Sequence, residues 1–320
     1  MTNVSRGRPN RRPELLSNGD LVALISPSSH LGDTAEAQLS EARDILTGWG
    51  LQVASLRDVE PRHLYFAGKD SERAEQFQNA YLDPEIKALF FTRGGYGAAR
   101  ILPLLDTDAI TKAPPKPVVG FSDATAIFTW LDQVADVSAL HAPCLAAPSL
   151  LNSETRVDDL EALRRALFEP DEYPEFPIRA LDPRKETTAE VEGILAGGCL
   201  AVVVTSLGTP WEIETEGRIL FLEDIGEAPY RLDRMLAHLR SSGKLKDVAG
   251  VVFGHLTHCD SDPPGLLEEV LQDFFSGDKF PVAAGLPAGH GSPNRALWLG
   301  QRVRFQLAAD GTGRFAFSRD

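Results

Sequence analysis

The chain has 320 residues, of which 43% are hydrophobic and 24% charged, and its net charge is −14 from 46 acidic against 32 basic side chains. A chain this long buries about three quarters of its extended surface and usually divides into two domains. No apolar run approaches the roughly 20 residues that cross a bilayer, and no basic stretch beyond the first residues is dense enough to follow a phosphate backbone, so neither a membrane nor a nucleic acid is an expected partner.

Arg6, Arg8, Arg11 and Arg12 stand among Pro9 and Pro13, and the apolar segment an export signal would need is broken by Asn18, Gly19 and Asp20. Residues 1–18 therefore read as a disordered tail. Leu21 to Ser26 is a strand ended by Pro27-Ser28-Ser29, and Asp33 opens a helix with Leu39, Ala42, Leu46 and Trp49 on one face, closed by Gly50. A second helix over Ser71 to Tyr81 leads into the strand Ile86 to Phe91, which ends in Arg93-Gly94-Gly95-Tyr96-Gly97 before Ala98 to Leu105 resumes helix. The strand Pro117 to Gly120 then runs into Phe121-Ser122-Asp123 and a third helical run, Ala126 to Leu131. Short apolar strands alternating with helices predict a parallel sheet covered on both faces, with ligands at the carboxyl ends of its strands.

The proline-rich stretch 167–189 has few periodic apolar positions and reads as a linker between a domain over 19–166 and one over 190–320. Beyond it come a strand at Arg218 to Leu222, an amphipathic helix with Leu232, Met235, Leu236 and Leu239, and a strand centred on Val251 to Phe253. The chain closes on alternating Val303, Phe305 and Leu307, a turn at Asp310 to Gly313, and a strand with Phe315 and Phe317, which together predict a hairpin. Cys144, Cys199 and Cys259 are widely spaced with no CxxC, which argues against a disulfide framework and for a reducing cytosol.

Ser122 sits where an apolar strand meets a helix, the setting in which a hydroxyl stands above the sheet edge and the next backbone amides can receive an oxyanion. The plain alternative is that Ser122 and Asp123 cap the helix. A reactive serine needs a base and a group to orient it. Of the seven histidines, His290 lies in Gly289-His290-Gly291, a glycine-flanked loop where an imidazole is freely placed, whereas His141 reads as part of a strand-like exit. Glu223 ends the apolar run Ile219 to Leu222, where a charge is costly unless used; Asp224 and Glu227 read as caps of the helix that begins near Pro229. Gly94 to Gly97 could bring a second amide to a reacting oxygen, and no Walker or dinucleotide-binding glycine pattern supports a nucleotide. His255, His258, Cys259 and Asp260 lack the spacing of a zinc site, so no metal and no cofactor is expected. A third reading, a non-catalytic or metal-binding protein built on these last clusters, stays open on residues alone.

Taken together, Gly19 to Ala23 with Ser26-Pro27-Ser28, Arg93 to Gly97, Gly120-Phe121-Ser122-Asp123, Leu220 to Asp224 with Glu227 and Pro229-Tyr230, and Gly289-His290-Gly291 resemble the LD-carboxypeptidase family of serine peptidases. The resemblance spans Gly19 to Gly300. It implies a flavodoxin-like N-terminal domain and a smaller β-rich C-terminal domain, commonly as a homodimer, with a triad of Ser122, Glu223 and His290 formed between them. It also implies an oxyanion hole at the backbone amides of Gly95 and Asp123, and a small peptide substrate. That substrate would be either a murein tetrapeptide losing its terminal D-alanine or, as in the microcin self-immunity branch, an aminoacyl-nucleotide conjugate. The substrate's free carboxylate needs a cation in this acidic chain, and Arg93 is the candidate, its alternative being an ion pair that holds the glycine turn. The family's Gly-Gly-Asn-Leu is here Gly197-Gly198-Cys199-Leu200, which trades an amide for a thiol and changes whatever hydrogen bonds that position makes.

Overall fold

Five runs from the first half of the chain pair side by side, all parallel: β1 (Leu21–Ile25), β2 (Gln52–Ala54), β3 (Ile86–Phe91), β4 (Val118–Gly120) and β5 (Ala139–His141). In the computed structural model, which describes residues 8–54, 62–169, 175–185 and 188–318, they lie in the order β2-β1-β3-β4-β5, the doubly wound order of flavodoxin-like sheets. The core strands are almost wholly buried because helices such as Ala35–Gly48 and Asp70–Leu82 cover the faces. Ala42 and Leu46 of the first helix and Ala74, Phe77, Ala80 and Tyr81 of the second pack into that core. The carboxyl ends of β1, β3 and β4 therefore open side by side on one edge, where Ser28, Gly95 and Ser122 follow them.

The rest of the chain closes a seven-stranded barrel, ordered β10-β6-β13-β12-β7-β8-β9. Its strands are β6 (Phe176–Ala180), β7 (Ala189–Cys199), β8 (Arg218–Ile225), β9 (Gly250–Thr257), β10 (Val282–Ala284), and, after β11 (Leu297–Leu299), β12 (Arg302–Leu307) and β13 (Thr312–Phe317). The terminal hairpin forms as its alternation requires, with Val303, Phe305 and Leu307 buried. β11 leaves the barrel and pairs antiparallel with β5, so the late chain supplies an edge strand to the early sheet.

Two boundaries differ from the sequence expectation. Within the expected tail, residues 8–18 are described and tied down: Asn10 N–H donates to Gly300 O at 2.8 Å, and Leu16 is buried. The expected linker contains β6, whose Phe176, Ile178 and Ala180 are buried while Pro177 and Arg179 face out. A proline is tolerated there because only β13 flanks Pro177, β10 pairing first at Arg179, so the strand is an edge at that point. Residues 1–7 of the tail and 170–174 and 186–187 of the linker lie outside the described residues.

One continuous apolar core joins Phe91, Phe121 and Trp130 of the first lobe to Phe221, Val252 and Phe305 of the barrel. Between the lobes, Arg218 Nη1 binds both oxygens of Asp132 at 2.9 and 2.8 Å, and Asn10 Nδ2 donates to Asp132 Oδ1 at 2.6 Å. Among the described residues no helix is long and apolar enough to cross a membrane.

Candidate active site

β4 is too short to curve gently into the helix that follows it. Phe121 is still extended at φ −158°, Ser122 turns into the left-handed region at φ +63°, and one 3₁₀ turn, Ser122–Ala124, leads into the helix Thr125–Trp130. A non-glycine residue in that region costs on the order of 1–3 kcal/mol and persists only where its surroundings dictate it. The turn sets the Ser122 hydroxyl at the end of β4 and closes with Ala124 N–H donating to Phe121 O at 3.3 Å. Beside it, a Cβ on Gly94 would fall 2.9 Å from Ser122 Cβ and 3.1 Å from its Oγ, so only glycine lets the β3 exit approach this closely. Gly95 follows at φ +107°.

Glu223 lies inside β8, not beyond its end. The strand's alternation sends Ile219 and Phe221 into the core shared with the first lobe, and Leu220 and Leu222 into the layer under the helix Pro229–Ser241. Glu223 continues the Ile219–Phe221 face and so points at the lobe that carries Ser122. Asp224 takes the other face, where its carboxylate accepts from Ala201 N–H at 2.8 Å and Ile225 N–H at 2.8 Å. The expected caps are thus employed elsewhere: the helix from Pro229 has no side-chain cap, and Glu227 pairs with Arg231 at 3.5 Å.

His290 reaches both partners. Its Nε2 lies 2.8 Å from Ser122 Oγ and its Nδ1 2.7 Å from Glu223 Oε2, which also accepts from the His290 backbone N–H at 3.1 Å. The loop is fixed by Gly289 N–H donating to Asn294 Oδ1 at 2.9 Å and Asn294 N–H donating to Asp159 Oδ1 at 3.1 Å, which anchors it to the helix Arg156–Phe168 of the first lobe. Gly289, at φ +113°, leaves no room for a side chain, since a Cβ there would stand 2.6 Å from Glu223 Oε2.

Burial alone would raise the Glu223 carboxyl. The imidazoles of His141 and His290 that face it more than offset this and hold it at about 2. His290 is moved up from its ordinary 6.5, burial working against the shift and the hydrogen bond and charge of Glu223 prevailing. A hydroxyl, an imidazole raised by a buried anion, and that anion in line form the arrangement in which a serine loses its proton as it attacks a carbonyl.

The side chain of Asp123, also buried, does a different job. Its Oδ2 accepts from Ser28 Oγ at 2.6 Å and from Ala98 N–H at 2.8 Å, so one carboxylate joins the exits of β1, β3 and β4. Burial pushes it above the ordinary carboxylate range despite those two donors and the charge of Arg73. Arg73, fully buried on the helix Asp70–Leu82, donates to Pro27 O and, at 2.8 Å, to Gly97 O. Arg93 donates through Nη1 to His30 O at 3.0 Å, and no carboxylate among the described residues pairs with it. Cys199 stands opposite Glu223 in the β7–β8 register, and its N–H donates to Thr125 Oγ1 at 3.1 Å; burial and the charges of Glu223 and Asp224 drive its thiol well up.

The structure thus brings Ser122, Glu223 and His290 into one chain of hydrogen bonds, with Gly95 and Asp123 at the adjoining strand ends and Arg93 one residue before Gly94. His255 instead contacts Pro293 O at 2.8 Å through Nε2, and Asp260 accepts from Gly265 and Leu267 N–H. Among the described residues no group of three or more His, Cys, Asp or Glu side chains is arranged to hold a metal. Sequence reasoning passed over three residues of the site: Arg73, the Asp123 carboxylate and His141. The signal for His141 was only its place at the exit of β5, next to the strand that carries Ser122.

Family models describe two parts of this chain, an LD-carboxypeptidase N-terminal domain over residues 22–142 and an LD-carboxypeptidase C-terminal domain over residues 192–305. A probable murein peptide carboxypeptidase of Bacillus subtilis is 34% identical over 93% of this chain and 92% of its own length. The murein tetrapeptide carboxypeptidase of Pseudomonas aeruginosa is 33% identical over 88% and 91% respectively. Among solved structures, the muramoyltetrapeptide carboxypeptidase from Oxalobacter formigenes superposes with a TM-score of 0.79 at 29% identity, covering 93% of this chain and 99% of that one.

Proposed function

The chain belongs to the LD-carboxypeptidase family, and on that premise we propose that it is a serine carboxypeptidase that removes the terminal D-alanine from a murein tetrapeptide, with Ser122, His290 and Glu223 as its triad. The observation that carries the proposal is the unbroken contact from Ser122 Oγ through His290 to Glu223, at 2.8 and 2.7 Å, across two lobes. Ser122 Oγ attacks the carbonyl of the L-centre, diaminopimelate in a murein peptide, as His290 Nε2 takes its proton. The amides of Gly95 and Asp123 receive the oxyanion, and His290 returns the proton to the departing D-alanine nitrogen. Water then adds to the acyl carbon as it gives a proton to His290, and His290 passes that proton to Ser122 Oγ as the ester bond breaks and the shortened peptide leaves. Glu223 Oε2 holds the proton on His290 Nδ1, which keeps Nε2 free to act as base.

The proposal extends to a cytoplasmic homodimer acting in peptidoglycan recycling. Supporting it, Cys144, Cys199 and Cys259 are all buried free thiols, which suits a reducing compartment.

A mass-spectrometric assay with murein tetrapeptide, murein tripeptide and an aminoacyl-nucleotide conjugate tests the reading. Release of D-alanine from the tetrapeptide alone is expected, and Ser122→Ala lowers turnover by about three to six powers of ten. Cleavage of the nucleotide conjugate alone would assign the chain to the immunity branch, and an active Ser122→Ala would remove the serine mechanism altogether.

A further inference from the structure

Glu223 Oε1 and both ring nitrogens of His141 are buried with no hydrogen-bond partner among the described residues. They face one another: His141 Nε2 lies 4.0 Å from Glu223 Oε1, and neither side chain has any exposed surface. Buried polar atoms are almost always paired, so orphans that point at each other call for an explanation. His141 is the last residue of β5, in register with Gly120 of β4 and Leu297 of β11. It therefore approaches Glu223 from the lobe that carries Ser122. Phe221 and Phe121 meet its ring edge-on, with centroids 5.1 and 6.0 Å away, which leaves it little freedom to turn elsewhere.

Building on the triad reading, we propose that His141 is a second imidazole of the site, a positioning residue whose Nε2–H closes onto Glu223 Oε1 and fixes the carboxylate so that Oε2 stays on His290. Glu223 Oε2 is already occupied by the backbone and ring N–H groups of His290, and Oε1 is the end of the carboxylate otherwise free to swing. The distance must shorten by about 1 Å to reach hydrogen-bond length, a tightening that catalytic contacts commonly undergo when substrate enters. The other titratable groups near the pair are Asp224 on the opposite face of β8, Cys199 across from it on β7, and His255 behind Gly291. None of these offers a donor to Oε1 among the described residues.

The sign of the effect follows from charge. A donor on Oε1 takes up part of the carboxylate's charge. Without it, His290 faces the full anion and binds its proton more tightly, so the acid limb of kcat/KM against pH moves to higher pH. The test compares wild type, His141→Phe and His141→Gln on murein tetrapeptide. Phenylalanine fills the ring's space and donates nothing, whereas the glutamine amide can reach where Nε2 stands. His141→Phe is expected to lose about tenfold to a hundredfold in kcat, with KM little changed and the acid limb displaced upward, and His141→Gln to recover most of both. A phenylalanine variant with unchanged kcat and unchanged limb overturns the proposal. Should that variant not fold, nitrogen-15 histidine spectra of the wild type decide the matter, because the proposal requires a proton on His141 Nε2 and an unprotonated Nε2 overturns it. Ser122→Ala, measured alongside, separates the two readings: if it is inactive while His141→Phe behaves as wild type, the triad stands and this inference falls.

Discussion

Ser122 and Glu223 each stand near the carboxyl end of a buried parallel strand, one in each lobe, but the two strand ends hold their residues by opposite means. At the β4 end the backbone does the placing. Ser122 is pinned at φ +63°, the neighbouring turn carries glycine where any side chain would collide with the serine, and the Asp123 carboxylate ties three strand exits together. At the β8 end the strand itself continues through Glu223 while β9 slips one residue of register opposite it and Gly289 leaves it room, and electrostatics completes the placing: a fully buried anion, one imidazole in contact and another 4.0 Å away. A nucleophile has to be in the right place, and a base has to be in the right protonation state. The two buried carboxylates beside them are moved in opposite directions, Asp123 up by burial and Glu223 down by the imidazoles that face it.

The largest break comes from Glu223→Gln. The amide can donate to His290 Nδ1 and so favours the tautomer that has its proton on Nε2, with which Ser122 cannot be activated; turnover on tetrapeptide should fall by about four powers of ten with the fold intact. Stability gives a second readout. Because the folded carboxyl is held at about 2 against an ordinary 4.5, its stabilising contribution is complete above 4.5 and is lost as pH falls through about 2. The wild type should therefore lose melting temperature over that window more steeply than the glutamine variant, and parallel curves would show that Glu223 is not the anion this account requires.

Next in size is the interface itself. Arg218→Leu leaves Asp132 buried with only the neutral amides of Asn10 and Gln133 as side-chain donors among the described residues and should cost about 3–5 kcal/mol in urea unfolding, while Arg218→Leu with Asp132→Leu recovers much of it. Ser122, His290 and Glu223 are held by contacts elsewhere, so activity below the unfolding transition should change far less than stability. A loss of activity matching that of Glu223→Gln would mean that Arg218 also sets the geometry between Ser122 and His290.

Asp123→Asn then sharpens the contrast, since it is the same kind of substitution at the other buried carboxylate. An amide oxygen can still accept from Ser28 and Ala98, and the costly buried charge is gone, so activity should stay within about threefold and stability should hold or rise. Asp123→Ala, which strands two donors, should cost about 1–3 kcal/mol for each. If Asp123→Asn were as damaging as Glu223→Gln, the division of labour between the two strand ends would be wrong.

How far the sequence carried this picture follows the same division. The Ser122 half was legible because its devices are local: an apolar run, Gly120-Phe121-Ser122, then a helix, with Arg93 to Gly97 ending the neighbouring strand. Glu223 was legible as a charge at the end of Ile219 to Leu222, and β8 simply runs three residues further than those apolar positions show. His290 stood out only by its flanking glycines. What stayed hidden is tertiary. β11 is three residues long, too short for any period, and it joins a sheet whose other strands lie more than 150 residues earlier. β6 is disguised by its proline, and Asn10 and Leu16 are ordered by residues distant in sequence, near 132, 167 and 300. His141 looks like any polar strand residue until the barrel brings Glu223 to it.

The smallest expected effect concerns the cation for the substrate's carboxylate. Arg93 precedes Gly94, the residue packed against Ser122, and its only hydrogen bond among the described residues goes from Nη1 to His30 O, so the rest of the guanidinium fork is available to a ligand at the β3 exit. Lysine keeps the charge but loses the planar pair of donors that grips a carboxylate from two sides. Arg93→Lys should therefore leave kcat within about twofold and raise KM for the tetrapeptide about threefold to tenfold, a discrimination expected from one lost charge-assisted hydrogen bond in a solvent-accessible site. Amidating the terminal D-alanine provides the control: the penalty for amidation should be large in wild type and smaller in the lysine variant, because the two changes remove the same contact. If KM is unchanged by Arg93→Lys, and amidation costs both enzymes equally, Arg93 only tethers the His30 loop and the carboxylate is read by another group.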